Sequence, residues 1–142
     1  MSSECEFPAF NASVPEVAQI LKTAKTIAVV GLSPKLERPS HSVSAYMQGQ
    51  GYRIIPVNPG HEEILGEKAY KSLLDVPGPI DIVNIFRDPA AVPEIVDQAI
   101  AKKAKVVWMQ EGIVHNGAAE KARMAGLKVV MNKCIYKEHA KL

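Results

Sequence analysis

The chain is predicted to fold as an α/β protein, a Rossmann-like open parallel five-stranded sheet with helices on both faces. Three observations predict this. Five short, largely apolar runs lie at Thr26–Val30, Tyr52–Val57, Ile80–Phe86, Lys105–Met109 and Leu127–Met131. They lack polar alternation, as strands buried on both faces do. Segments with apolar residues at helical spacing lie between them, which suits the crossovers that parallel strands require. No internal repeat, low-complexity run or second composition block interrupts the 142 residues, so one domain spanning 1–142 is expected, with 1–12 an irregular lead-in.

Each element has its own local justification. Phe7 and Phe10 of the lead-in are expected to tuck onto the core. Ser13-Val14-Pro15-Glu16 reads as a capping box, with Glu16 three residues after Ser13. The helix behind it places Val14, Val17, Leu21 and Ala24 on one face. The first strand breaks at Gly31 into a polar, basic loop. A helix resumes near Ser40, where the fixed φ of Pro39 suits a helix start. Val43, Tyr46 and Met47 share one side of it, and it stops at Gly49 or Gly51. Asn58-Pro59-Gly60 turns the chain after the second strand. Residues 61–76 read as short helical turns near Glu62–Leu65 and Ser72–Leu74. Asp88-Pro89 opens a helix carrying Val92, Ile95, Val96, Ala99 and Ile100, with Pro93 in its first turn. Asn116 is the expected cap of a helix ending at Gly126, and a short tail ends in KEHAKL. The expected strand order is 3-2-1-4-5. Ligands of such sheets bind outside the carboxyl ends of the strands at the switch point, here between strands one and four.

Composition excludes several functions. Apolar content of 47% and charged content of 23% are ordinary for a soluble globular protein. A net charge of +2 argues for neither nucleic acid nor membrane. Cys5 and Cys134 have no zinc-type spacing, and MSSECEF lacks the marks of a signal peptide. A cytoplasmic location with reduced thiols is the expectation.

The stretch from Thr26 to Ser44 is the candidate site. A strand, a glycine turn and a helix start in that order favour an anion, through free N–H groups and the helix dipole. Lys35, Arg38 and His41 add positive charge to the same segment. Leu32-Ser33-Pro34 follows Gly31, so the dinucleotide fingerprint is incomplete. The other carboxyl-end loops are Asn58-Pro59, Arg87-Asp88-Pro89, Gln110-Glu111-Gly112 and Asn132-Lys133-Cys134. A bulky residue at Gly31 is expected to abolish anion binding and leave the core intact. Trp108 reads as core, and the four histidines form no metal set or triad in sequence.

V-V-G-L-S-P followed by R-P-S, then I-P-V-N-P, F-R-D-P, W-M-Q-E-G and N-K-C, occur in an order and spacing that resembles the small CoA-binding proteins. Their fold is similar to the N-terminal CoA-binding domain of the succinyl-CoA synthetase α subunit. The resemblance implies CoA or an acyl-CoA lying across the carboxyl edge of the sheet. It implies contacts from Gly31, Leu32, Ser33, Pro34, Lys35 and Arg38, with Ser33 to Lys35 taking the diphosphate. It further implies Arg53 in place of a CoA-contacting lysine, Asn58, Phe86, and a contact loop at Met109, Gln110 and Glu111. Arg38 is the preferred cation for the 3′-phosphate. The loop after strand one departs from the glycine-rich loop of the synthetase, and a second domain with a phosphorylated histidine is not expected within these 142 residues. Ligase chemistry is therefore not implied, and no catalytic residue is assigned. Three alternatives stay open: an NAD(P)-binding oxidoreductase, an acyl-CoA transferase acting through Glu111 or Cys134, and the nucleotide-binding subunit of a split acyl-CoA ligase. Val57-Asn58-Pro59 lacks the acidic residue that an NAD ribose would need. The expected partners are a small-molecule nucleotide and, among proteins, a second copy of the chain or a ligase subunit.

Overall fold

The computed structural model describes residues 7–142. In chain order the elements are α1 (Val14–Thr23), β1 (Thr26–Val30), α2 (Pro39–Gly49), β2 (Arg53–Val57), β3 (Glu63–Ile64) and β4 (Glu67–Lys68). They continue with β5 (Ile82–Ile85), α3 (Val92–Ala101), β6 (Val106–Met109), α4 (Asn116–Met124), β7 (Lys128–Val130) and α5 (Ile135–Ala140). Single 3-10 turns at Leu73–Asp75 and Pro89–Ala91 precede β5 and α3. The main sheet is parallel with strand order β2-β1-β5-β6-β7.

Numbered among the five main strands, that order is 2-1-3-4-5, which corrects the expected 3-2-1-4-5. Pro56 supplies a physical reason. It has no N–H to give a ladder, so its strand belongs at a sheet edge. The observed order puts β2 at the edge, with Pro56 opposite Val29. The expected order would have made it interior. The switch point accordingly lies between β1 and β5.

Every main-sheet strand sends alternate side chains to two cores. Ala28, Val30, Val83, Ile85, Val107 and Met109 meet α3 and α4 through Val92, Val96, Ala119 and Ala122. Ile27, Val29, Ile82, Val106 and the fully buried Trp108 meet α1, α2 and α5 through Val17, Leu21, Val43, Met47 and Ile135. Burial on both faces explains the absence of polar alternation.

Several local expectations are corrected. The Ser13–Glu16 capping box forms, but α1 buries Val17, Ile20 and Leu21 while Val14 is exposed. Phe10 packs on the core beneath the Arg123 guanidinium, whereas Phe7 is exposed; residues 1–6 of the lead-in lie outside the described residues. Residues 62–65 form part of a hairpin rather than a helical turn, because Leu65 and Gly66 both have positive φ, as a tight strand-reversing turn demands. The cap of α4 is His115, whose Nδ1 accepts from the Ala118 N–H. Asn116 is the first helical residue instead, and its Oδ1 accepts from Ala9. The tail is helical as α5, docked by the Tyr46–Tyr136 edge-to-face pair and the Tyr46–His139 hydrogen bond.

One carboxylate secures the amino end of the sheet. Asp81 accepts from the Lys25 and Thr26 amides at 2.7 and 3.1 Å and pairs with Lys105 at 3.3 Å. Burial alone would raise its carboxyl, but the two amides and Lys105 outweigh burial and hold it below the usual aspartate range. Its contribution to stability is therefore present above the ordinary value of about 3.9 and lost as pH falls through the depressed one. Asp81→Ala is expected to cost about 1–3 kcal/mol in urea unfolding at neutral pH, since it orphans two amides. The gap to the parent should close in acid, and a gap that does not shrink there would contradict this role.

Candidate functional site

Gly31 ends β1 where three strand ends meet. Its N–H donates to Val57 O at 3.0 Å, and the Phe86 N–H donates to Val30 O at 2.9 Å. Its φ is +92°, and a Cβ there would lie 2.5 Å from Phe86 O and 2.9 Å from Arg87 Cδ. The glycine is thus needed for the chain's own close approach between the β1 and β5 ends. This corrects the expectation that a side chain at Gly31 would spare the core.

The loop that follows is fastened by side chains. Asn58 Nδ2 donates to Leu32 O at 2.9 Å, while Asn58 Oδ1 accepts from the Gly60 N–H at 2.8 Å. The Ser33 N–H donates to Ser40 Oγ, and Ser33 Oγ accepts from the Lys35 N–H. His41 Nδ1 lies 3.0 Å from Ser33 O. A carbonyl only accepts, so Nδ1 carries the proton. The backbone donors of Ser33 and Lys35 are therefore already engaged, and Pro34 has none. The start of α2 has no side-chain cap and no acid in its first turn, which keeps that end favourable to an anion.

Two clefts flank the edge, and Arg87 lines both. On the α3 side a cavity of about 500 Å³ is bounded by Gly31, Asn58, Lys71, Ser72, Arg87 and Glu94. On the α2 side a cavity of about 550 Å³ is bounded by Pro39, Val43, Phe86, Arg87, Gln110 and Cys134, with Asp88, Glu111 and Ile113 nearby in its wall. Each falls within the size range of small-molecule pockets. Arg87 and Lys71 are exposed, and among the described residues neither is in an ion pair.

The far wall of the second cleft is stitched to α5. Gln110 Oε1 accepts from the Ile135 N–H at 2.9 Å, the Trp108 indole donates to Lys133 O, and Asn132 Oδ1 accepts from Gly112. Glu111 pairs with Lys137 at 3.0 Å, and this carboxylate raises the Lys137 ammonium above the usual lysine range. Among the described residues no group of acids, histidines and cysteines could hold a metal ion.

The structure therefore brings together Gly31, Asn58, Phe86, Gln110 and Glu111 of the expected residues. Leu32 and Met109 are fully buried beneath the edge. Ser33, Pro34, Lys35 and Arg38 sit on the loop and line neither cleft. Arg53 is not brought to the group at all. It pairs with Thr26 at the amino end of β2, about 13 Å of strand away from Val57. Sequence reasoning placed Arg87 on a carboxyl-end loop without assigning it to the anion, and passed over Lys71; both cations line the α3-side cleft. Arg87 was legible, since it stands in F-R-D-P directly after a strand whose carboxyl end faces the edge.

Comparison with known proteins decides the family. The family described as CoA binding domain matches residues 25–140. The chain belongs to this CoA-binding domain family. Within it, the domain is 45% identical over 130 residues to the uncharacterized protein YneT of Bacillus subtilis, covering 92% of this chain and 96% of that protein. A hypothetical protein from Pyrococcus horikoshii has the same fold with a TM-score of 0.91 and 43% identity, covering 96% of each chain. An ADP-forming acetate–CoA ligase of Archaeoglobus fulgidus is 30% identical over 111 residues. That match covers 76% of this chain but 16% of the ligase, so the CoA-binding domain corresponds to a small part of it. The resemblance read from the motifs is thereby borne out at the level of the family. No helix among the described residues is long and apolar enough to cross a membrane.

Proposed function

We propose that this chain binds CoA or an acyl-CoA across the carboxyl edge of its sheet, without chemistry of its own. The observation that carries the reading is Arg87, a cation in no ion pair among the described residues and shared by two clefts on opposite sides of the edge, in a chain of the CoA-binding domain family. The diphosphate sits against Arg87 and the start of α2, with Lys35 and Arg38 contributing their field from the loop. The 3′-phosphate lies in the α3-side cleft, where Lys71 is the second cation. Asn58 shapes the Gly31 loop, because both ends of its amide are engaged within the chain. The same commitment disfavours NAD, whose ribose would need an acceptor at that strand end.

Calorimetry tests the reading with CoA, dephospho-CoA and NAD at fixed salt. CoA is expected to bind, dephospho-CoA more weakly, and Lys71→Ala to narrow the difference. Equal affinity of the parent for both CoA forms would remove the 3′-phosphate site. A parent that discriminates, and a Lys71→Ala that discriminates just as well, would return the assignment to Arg38. Assays with acyl-CoA and ATP are expected to yield no product. The similarity to an ADP-forming ligase favours a second reading, a nucleotide-binding subunit that acts beside a separate ligase chain.

A further inference from the structure

We propose that the α2-side cleft extends, behind the Phe86 ring, to a buried polar pair, Asn84 and Ser44, that binds one amide of the CoA arm. The inference rests on the proposed CoA site and adds two residues that line neither cleft. Ser44 and Asn84 are each 1% exposed, and Ser44 Oγ and Asn84 Oδ1 have no hydrogen-bond partner within the protein. Among the described residues no other buried side-chain nitrogen or oxygen is left in this state. Buried polar groups are ordinarily paired, so two orphans in one layer of the core point to a guest that supplies both bonds.

Their placement aims them at that cleft. Ile82, Asn84 and Phe86 alternate onto the sheet face that meets α2. Phe86 is half-buried and lines the cleft, so Asn84 lies about 7 Å below it along the strand. Ser44 belongs to the buried face of α2 with Val43 and Met47, and Val43 lines the same cleft. One orphan thus stands on the sheet wall and the other on the helix wall, and the two do not bond to each other.

The chemistry of the pair selects the guest. Asn84 Oδ1 only accepts, and the Ser44 hydroxyl can donate. A trans secondary amide offers an N–H on one side and a carbonyl on the other. Set between the two walls, it gives its N–H to Asn84 and takes the Ser44 hydroxyl on its carbonyl oxygen. The CoA arm carries two such amides. With the 3′-phosphate in the α3-side cleft and the diphosphate at Arg87 and the start of α2, the arm continues into the α2-side cleft, above the pair. Entry requires the Phe86 ring to turn aside.

Calorimetry on the full chain compares CoA with 3′-phosphoadenosine 5′-diphosphate, which keeps the phosphates and lacks the arm. The parent is expected to favour CoA by about tenfold or more. Asn84→Leu and Ser44→Ala should each weaken CoA by about three- to tenfold and leave the armless nucleotide unchanged. Ser44→Ala should melt no lower than the parent, since it deletes an unmet hydroxyl and alanine favours a helix. Should Asn84→Leu not fold, Ser44→Ala reads the same difference between ligands. Trp108, the single tryptophan, stands opposite Asn84 in the ladder between β5 and β6, so CoA should shift its emission and the armless nucleotide should not. A parent that binds the armless nucleotide as tightly as CoA, variants that keep CoA affinity or lose both ligands equally, a lower melting temperature for Ser44→Ala, or an emission that CoA leaves unmoved overturns the amide site and leaves the binding function standing. A parent that binds neither ligand removes the proposed function, and the inference with it.

Discussion

Gly31→Val is expected to lower the stability of the fold by about 3 kcal/mol or more, in addition to abolishing CoA binding. Two independent costs add. The backbone at Gly31 has φ +92°, which a β-branched residue adopts only under strain of about 1–3 kcal/mol. The new Cβ would also press on Phe86 O at 2.5 Å, a backbone atom that cannot swing aside as a side-chain end could. Relief requires the ends of β1 and β5 to part, and they are joined there by the Phe86 N–H to Val30 O bond. Chemical denaturation of parent and variant measures the loss. A variant within about 0.5 kcal/mol of the parent would show that the crossing of these strand ends is looser than described.

Arg87→Ala carries the largest expected effect on affinity alone. The guanidinium is exposed, has no ion-pair partner among the described residues, and lines both clefts. Its removal should leave the fold intact, since exposed side chains of this kind change stability by about 0.5 kcal/mol or less. Binding should weaken by roughly 1.5–3 kcal/mol, on the order of ten- to a hundredfold, as loss of a charge-assisted contact to phosphate does. Arg87→Lys should recover part of the loss, because lysine keeps the charge but not the fork that grips two oxygens. Arg38→Ala is the comparison, since Arg38 lies on the loop outside both clefts. An Arg38→Ala loss that matches or exceeds the Arg87→Ala loss would move the anion site back to the loop.

What was legible in the sequence was legible for local reasons. Runs buried on both faces announce parallel strands whatever their order, so all five main strands were found within a residue or two. Ser13 and Glu16 act across three residues, and Pro39 acts on its own φ, so both helix starts were readable. Strand order is a long-range property, and identical apolar runs do not state their neighbours. Pro56 did hold the information, because a strand lacking one donor prefers an edge. The hairpin at 63–68 was lost because its turn is Leu65-Gly66, in which a leucine adopts a positive φ that its side chain does not favour. At the site, the basic residues adjacent to Gly31 in sequence drew the assignment. Strand geometry instead brings Arg87 and Lys71 to the edge from 56 and 40 residues farther along the chain. Arg53 misled for the converse reason, since it begins the strand whose other end reaches the site.

The central claim is that this edge holds CoA. Native mass spectrometry of the protein as purified, and again after incubation with CoA, tests it most directly. The expected spectrum shows one CoA or acyl-CoA per chain, retained by the parent and largely lost from Arg87→Ala. A chain that stays bare in excess CoA, or that carries NAD(P) and does not exchange it for CoA, would contradict the account.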